Sequence, residues 1–174
     1  MDEDDRVELS EAPTDDDSET DAIASLMQDH DEIRQAFQDY ASLGETGASE
    51  QDRRTLVNKL SRLLTVHAAL EEEFFYPAAR DALEDPELPQ AALADHQSMA
   101  ALLDDLGRMS PADAAYDTRV QSLQDLVEQH LEDEENELFP LAGERLADLD
   151  DLGDEMQERR EELQAEFDED SSAE

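Results

Sequence analysis

His67-Ala68-Ala69-Leu70-Glu71-Glu72-Glu73-Phe74-Phe75-Tyr76-Pro77 is answered further along the chain by His130-Leu131-Glu132-Asp133-Glu134-Glu135-Asn136-Glu137-Leu138-Phe139-Pro140. Each copy holds a histidine, glutamates four and five residues on, an apolar-aromatic step and a proline. In a helix, residues four apart lie one above the other, so each His-x-x-x-Glu aims an imidazole and a carboxylate at one point. That is metal-ligand geometry, written twice.

On either side of these motifs the apolar residues fall at helical spacing. Ile23, Leu26, Met27, Ile33, Phe37, Tyr40 and Ala41 form a stripe into which His30 fits, ending near Gly44 and Gly47. Ser49 can cap a second helix whose inner face holds Leu56, Leu60, Leu63, Leu64, His67, Glu71, Phe74 and Phe75. Pro77 is expected to kink or end it, with Ala78 to Leu83 able to carry it further and a turn-rich break at 85–89. A third helix turns Leu93, His96, Met99, Ala100, Leu103 and Leu106 inward and closes at Gly107. After a Ser110-Pro111 cap, expected to open a short lead-in helix, a fourth carries Tyr116, Val120, Leu123, Val127, His130, Glu134, Leu138 and Leu141 inward, interrupted near Pro140. A very polar fifth helix, 148–167, has Leu152, Met156, Leu163 and Phe167 as anchors and is expected to pack loosely outside the core.

Four amphipathic helices with short connections predict an all-α, antiparallel up-down-up-down four-helix bundle over 21–147 with an additional C-terminal helix. Residues 1–20, with ten acids and one arginine, read as a disordered acidic arm, and 168–174 as an acidic tail. At about 1.5 Å per residue, His30 and His67 stand at similar heights on either side of the first loop. Asp29-His30 and Asp95-His96 open the two halves, so each half is a helical hairpin supplying two histidines and one inward glutamate.

Composition narrows the chemistry. No cysteine is present, so disulfides, thiolate sites and iron-sulfur clusters are excluded, and any metal is held by nitrogen and oxygen. No signal segment or apolar run of membrane-spanning length is seen, which predicts a soluble, cytoplasmic protein. A net charge of −39 repels nucleic acid and anionic membranes and argues for a monomer. With one lysine, Lys59, beside eleven arginines, the acidity reads as a surface adapted to high salt, hence a halophilic source; a polyanionic cation buffer is the alternative.

All four histidines fall on the inward stripes, one per helix, and two carry a glutamate at the next turn. Buried carboxylates without partners cost several kcal/mol, roughly, and a pair of cations is the natural compensation. Glu72 and Glu135, about 140 degrees from their histidines, are expected in solvent. Phe74, Phe75, Tyr76 and Phe139 are expected as core and pocket wall, a hydrogen bond from Tyr76 to the site being the lesser reading.

These motifs resemble the hemerythrin-like (HHE cation-binding) domains: Asp29-His30; His67 to Glu72 leading to Phe75-Tyr76-Pro77; Asp95-His96-Gln97-Ser98-Met99; and His130 to Glu135 leading to Leu138-Phe139-Pro140. The resemblance implies a non-haem di-iron centre with an oxo or hydroxo bridge, His30, His67, His96 and His130 as terminal ligands and Glu71 and Glu134 as bridging carboxylates. Oxygen-carrying members have a fifth histidine where this chain has Ala100. Four histidines and two bridges leave both irons with an open position, which favours turnover or exchange over reversible carriage.

The expected function is thus binding of, or reaction with, O2, NO or peroxide, for sensing, detoxification or iron handling. The alternative is a non-catalytic metal-stabilised module, an iron store or regulatory domain, with zinc or manganese permitted because imidazole and carboxylate do not select iron alone. Whether the protein is an enzyme is not decided by these residues.

Overall fold

The computed structural model describes residues 21–83 and 87–172. The arm expected over 1–20 and the last two residues of the expected tail lie outside them. Every regular element described is helical: α1 (Ala22–Thr46), α2 (Glu50–Leu70), α3 (Tyr76–Leu83), α4 (Glu87–Arg108), α5 (Tyr116–Asp133), α6 (Phe139–Arg145) and α7 (Leu149–Ser172). Two π-helical turns, Glu71–Phe75 and Glu134–Leu138, join α2 to α3 and α5 to α6.

Local chemistry sets the ends. Asp21 caps α1 by accepting from the Ile23 and Ala24 amides, and Gly47 closes it at φ 69°, a left-handed conformation that glycine adopts without strain. Ser49 and Asp52 form a reciprocal capping box at α2. Between α4 and α5 there is a turn rather than the expected lead-in helix: Asp113 accepts from the Ser110 amide at 2.9 Å.

Neither Pro77 nor Pro140 breaks its helix. Each comes just after a widened turn in which an amide bonds back five places, Tyr76 to Glu71 and Phe139 to Glu134. A proline offers no N–H to the carbonyl four back and its ring crowds that carbonyl, so a wider turn lets the helix continue. The extra residue also rotates the next turn of the helix: Phe139 and Ala142 are buried, while Leu141, expected inward, is 44% exposed.

The bundle is four rods: α1, α2 with α3, α4, and α5 with α6. α1 packs along α2 and α4 along α5, the two hairpins expected from the repeat. The apolar core is in two parts. Leu26, Leu70, Phe75, Tyr76, Leu138, Phe139 and Met156 belong to one cluster; Ile33, Phe37, Leu60, Leu64, Val127 and Leu131 belong to the other. On α1, α2 and α4 the histidines fall between members of the two clusters, so a polar layer divides the core.

The fifth helix does not lie loosely. α7 packs on α1 and α2, buries Met156 fully and Leu163 nearly so, and runs on to Ser172 through residues expected to form the tail. Arg62 bonds the Gln164 carbonyl and pairs with Asp168, and Arg159 pairs with Glu73. Its few apolar residues suffice because their spacing keeps Leu152, Met156, Leu163 and Phe167 on one cluster.

Candidate metal centre

The six residues singled out from the sequence come together. His30, His67, His96, His130, Glu71 and Glu134 are all buried, none more than 5% exposed. The Nε2 atoms face inward: His67 Nε2 is 3.3 Å from Glu71 Oε1, His96 Nε2 is 3.1 Å from Glu71 Oε2, and His30 and His130 Nε2 are 3.3 and 3.5 Å from Glu134 Oε2. The Glu71 carboxylate therefore has one oxygen toward each hairpin's histidines.

Two ligand groups result, His30 with His67, Glu71 and Glu134, and His96 with His130 and Glu71, each with donor atoms within 4.8 Å of one another. In the first group every donor atom is an orphan: His30 Nε2, His67 Nε2, Glu71 Oε1 and Glu134 Oε2 are buried without a hydrogen-bond partner. Such groups are rare because each lost partner costs roughly 1–3 kcal/mol, more for charged groups. Two imidazole nitrogens and two carboxylate oxygens converging this way fit a first-row transition cation.

The outward nitrogen of each histidine faces a carboxylate. His30 Nδ1 is 2.7 Å from Glu135, His67 Nδ1 3.2 Å from Asp29, His96 Nδ1 2.8 Å from Glu72 and His130 Nδ1 3.5 Å from Asp95. A proton on Nδ1 is thereby favoured, leaving the Nε2 lone pair for the centre. The pattern tracks the sequence repeat: the Asp before the first histidine of each hairpin serves the second, and the Glu after each inward glutamate serves the opposite hairpin.

Glu72 and Glu135 thus correct the expectation of plain solvated glutamates. One residue past an inward glutamate is about 100 degrees around the helix, which in a bundle is the direction of the neighbouring rod. Glu135 also binds Arg34, Nη1 to Oε1 at 2.8 Å, while Glu72 keeps 44% of its side chain in solvent. Tyr76 is likewise more than pocket wall. Its hydroxyl is 2.8 Å from Glu71 Oε2 and 2.6 Å from Glu134 Oε1. Straight-helix periodicity hides this, because only the widened turn brings the fifth residue after Glu71 back toward it.

Electrostatics derive from burial. Burial pushes His130 down to about 4 and lowers His67, so both are held neutral. Burial opposes ionisation of Glu134, yet the His30 imidazole 3.3 Å away and the nearby His130 and His67 hold it down at about 2. Burial and the Glu134 charge push Glu71 well above the ordinary carboxylate value. The two close buried carboxylates are thus pushed in opposite directions, as mutual repulsion between like charges favours. Burial opposes ionisation of Asp29 too, but hydrogen bonds with His67 and Arg160 keep it below the usual range.

A groove of about 560 Å³ between α2 and α4 leads to His96, with Ala68, Ala69, Met99, Ala100 and Leu103 on its walls. Ala100, expected on the inner face of α4, is exposed there.

The family model for the Hemerythrin HHE cation binding domain matches residues 21–142, more than half of the chain. A crystal structure of a Hemerythrin HHE cation binding domain-containing protein from Mycobacterium kansasii superposes with a TM-score of 0.72 at 24% identity, covering 84% of this chain and 88% of that one. A DNA nickase of Nostoc sp. is 38% identical over 77 residues, 44% of this chain and 21% of that protein, so the match spans about a fifth of that relative's length.

Proposed function

The chain belongs to the hemerythrin HHE cation-binding family, and from that premise we propose that it holds two non-haem iron ions and uses them to bind or react with O2, NO or peroxide. His30, His67, His96 and His130 would be the terminal ligands and Glu71 and Glu134 the shared carboxylates. The observation that carries the reading is the set of four orphaned donor atoms on His30, His67, Glu71 and Glu134. Iron supplies open coordination positions and one-electron chemistry that no side chain here offers.

The chain's own residues do the rest. Nδ1 carboxylates orient the imidazoles, Tyr76 donates a hydrogen bond to the carboxylate pair, and the two apolar clusters keep bulk water from the polar layer. The groove beside Ala100 gives a diatomic or peroxide a path to His96. Residues 21–147 form the cation-binding unit and 148–167 its accessory helix. With −39 net charge and no described helix long and apolar enough to cross a membrane, the reading is a cytoplasmic monomer from a halophile with no nucleic-acid partner.

A second reading is that the cations only stabilise the bundle, with zinc or manganese in place of iron; the deep burial of all six donors favours it. The test is the optical spectrum of protein loaded with iron in molar salt, then treated with dithionite and returned to air. Near-ultraviolet bands that bleach and return, and that change with NO or peroxide, support the first reading. A silent spectrum with tightly held zinc supports the second and contradicts the first.

A further inference from the structure

α7 lies beyond the family match at 21–142, yet one of its side chains grips a carboxylate that faces a histidine of the centre. The Arg160 guanidinium is forked on Asp29, Nη1 to Oδ1 at 2.7 Å and Nη2 to Oδ2 at 2.9 Å, and Nη2 also meets Ser25 Oγ at 3.1 Å. Asp29 Oδ2 in turn faces His67 Nδ1 at 3.2 Å. The chain of contacts ends at His67 Nε2, one of the orphaned donors. The Arg160 and Asp29 side chains are 15% and 11% exposed, so little water competes with the fork.

The histidines of the other hairpin lack this device, whereas His30 has one of its own in the Arg34 fork on Glu135. Asp95 stands 3.5 Å from His130 Nδ1 with 36% of its side chain exposed, and among the described residues no arginine rests on it. The two donor groups also differ in size, four residues around His30 and His67 against three around His96 and His130. A two-point guanidinium-carboxylate fork fixes the plane of the carboxylate, which fixes the ring it orients. Groups that orient a ligand in this way change cation affinity by roughly 10–100-fold when removed.

We propose that Arg160 is a positioning residue that makes α7 part of the cation centre: through Asp29 it holds His67 in its ligating orientation, so the cation on His30 and His67 is released more slowly than the one on His96 and His130. The proposal rests on the cation-binding reading above. α7 has independent anchors in Met156, Leu163 and the Arg62 contact to Gln164, so replacing Arg160 leaves the helix docked.

The test uses the full chain, loaded with iron(II) under argon and challenged with a ferrous chelator, with released iron read by absorbance and helicity by circular dichroism. Wild-type protein should release iron in two phases. Arg160→Met should speed the slow phase roughly tenfold or more and leave the fast phase unchanged. Arg160→Lys, a charge without the fork, should fall between. Asp29→Asn should speed the same phase, and the double variant should be no faster than the faster single one. Arg159→Met, on the neighbouring residue, should leave both phases unchanged. A slow phase unaltered in Arg160→Met, a single wild-type phase, equal acceleration of both phases, or additive effects of Arg160→Met and Asp29→Asn would each overturn the proposal. If Arg160→Met does not fold, Arg160→Lys and Asp29→Asn decide it by the same criterion. Wild-type protein that takes up no iron contradicts the cation-binding reading and this inference together; wild-type protein that holds two irons with unaltered variants contradicts this inference alone.

Discussion

Tyr76 donates its hydroxyl hydrogen across the bundle to Glu134, Oη to Oε1 at 2.6 Å. The same oxygen is 2.8 Å from Glu71 Oε2. A phenol has one hydrogen to give, so Tyr76 can donate to only one of the two carboxylates at a time. Tyr76 is thereby a clasp between the two buried carboxylates.

Tyr76→Phe should leave the bundle folded and lower the stability of chelator-treated protein by about 1–3 kcal/mol, because a buried carboxylate loses its donor without losing its charge. Urea denaturation of both proteins in the presence of chelator measures the difference. An unchanged midpoint would show that the Tyr76 contact is energetically idle.

Replacing Glu71 by methionine should act in the opposite sense. Removing one of two crowded, fully buried carboxylates in favour of an apolar side chain of similar volume should be neutral or stabilising by about 1–4 kcal/mol in chelator-treated protein. The same variant should gain nothing from added cation. Wild-type protein, by contrast, should gain about 3 kcal/mol at a cation concentration a hundred times the dissociation constant. For a chain of this length that is about 5–10 °C in the thermal midpoint, read by calorimetry with and without metal.

The pH dependence should differ between chelated and loaded protein. His130 and His67 have folded values below the free value of about 6.5, so between roughly pH 4 and 6.5 the unfolded chain binds more protons and stability rises with pH. Asp29 and Glu134, held down, contribute stability that is present above the ordinary carboxylate range and lost as pH falls through their folded values. Glu71 has the opposite sign: its raised value contributes below the unfolded one and the contribution fades as pH rises through the folded one. Chelated protein should therefore be most stable at an intermediate pH and weaken above it. Loaded protein should not weaken there, because the cation takes the place of the Glu71 proton. Urea midpoints across pH 4 to 9, with and without cation, should show the two curves separating on the alkaline side.

Salt should stabilise the whole molecule. A net charge of −39 on 174 residues repels itself, and molar salt shortens the Debye length from about 10 Å to about 3 Å. The thermal midpoint should climb steadily from 0.1 to 2 M potassium chloride. A flat or falling midpoint would count against a halophilic origin.

The bundle and the six convergent residues are legible in the sequence because both depend on helical period: a repeated His-x-x-x-Glu can only face one way, and four amphipathic stripes joined by short loops have few ways to pack. The features that escape periodicity are caused by departures from it. The widened turns at Glu71–Phe75 and Glu134–Leu138 carry the helices past Pro77 and Pro140, bring Tyr76 inward and leave Leu141 outside. Glu72 and Glu135 look solvated on a single helix, which has only an inside and an outside, whereas a bundle also has sides facing neighbouring rods. Arg160 is invisible for a further reason: its partner Asp29 is 131 residues away, and no local spacing reports such a pairing.

A cation count tests the assignment of the metal centre itself. Wild-type protein and the His67→Ala and Glu134→Ala variants would be loaded with iron in molar salt, desalted, and measured for metal by plasma mass spectrometry and for helicity by circular dichroism. Two donor groups predict two irons per wild-type chain, fewer in each variant, and equal helicity in all three. Variants that keep two irons, or wild-type protein that keeps none, would contradict the assignment of these residues as the cation centre.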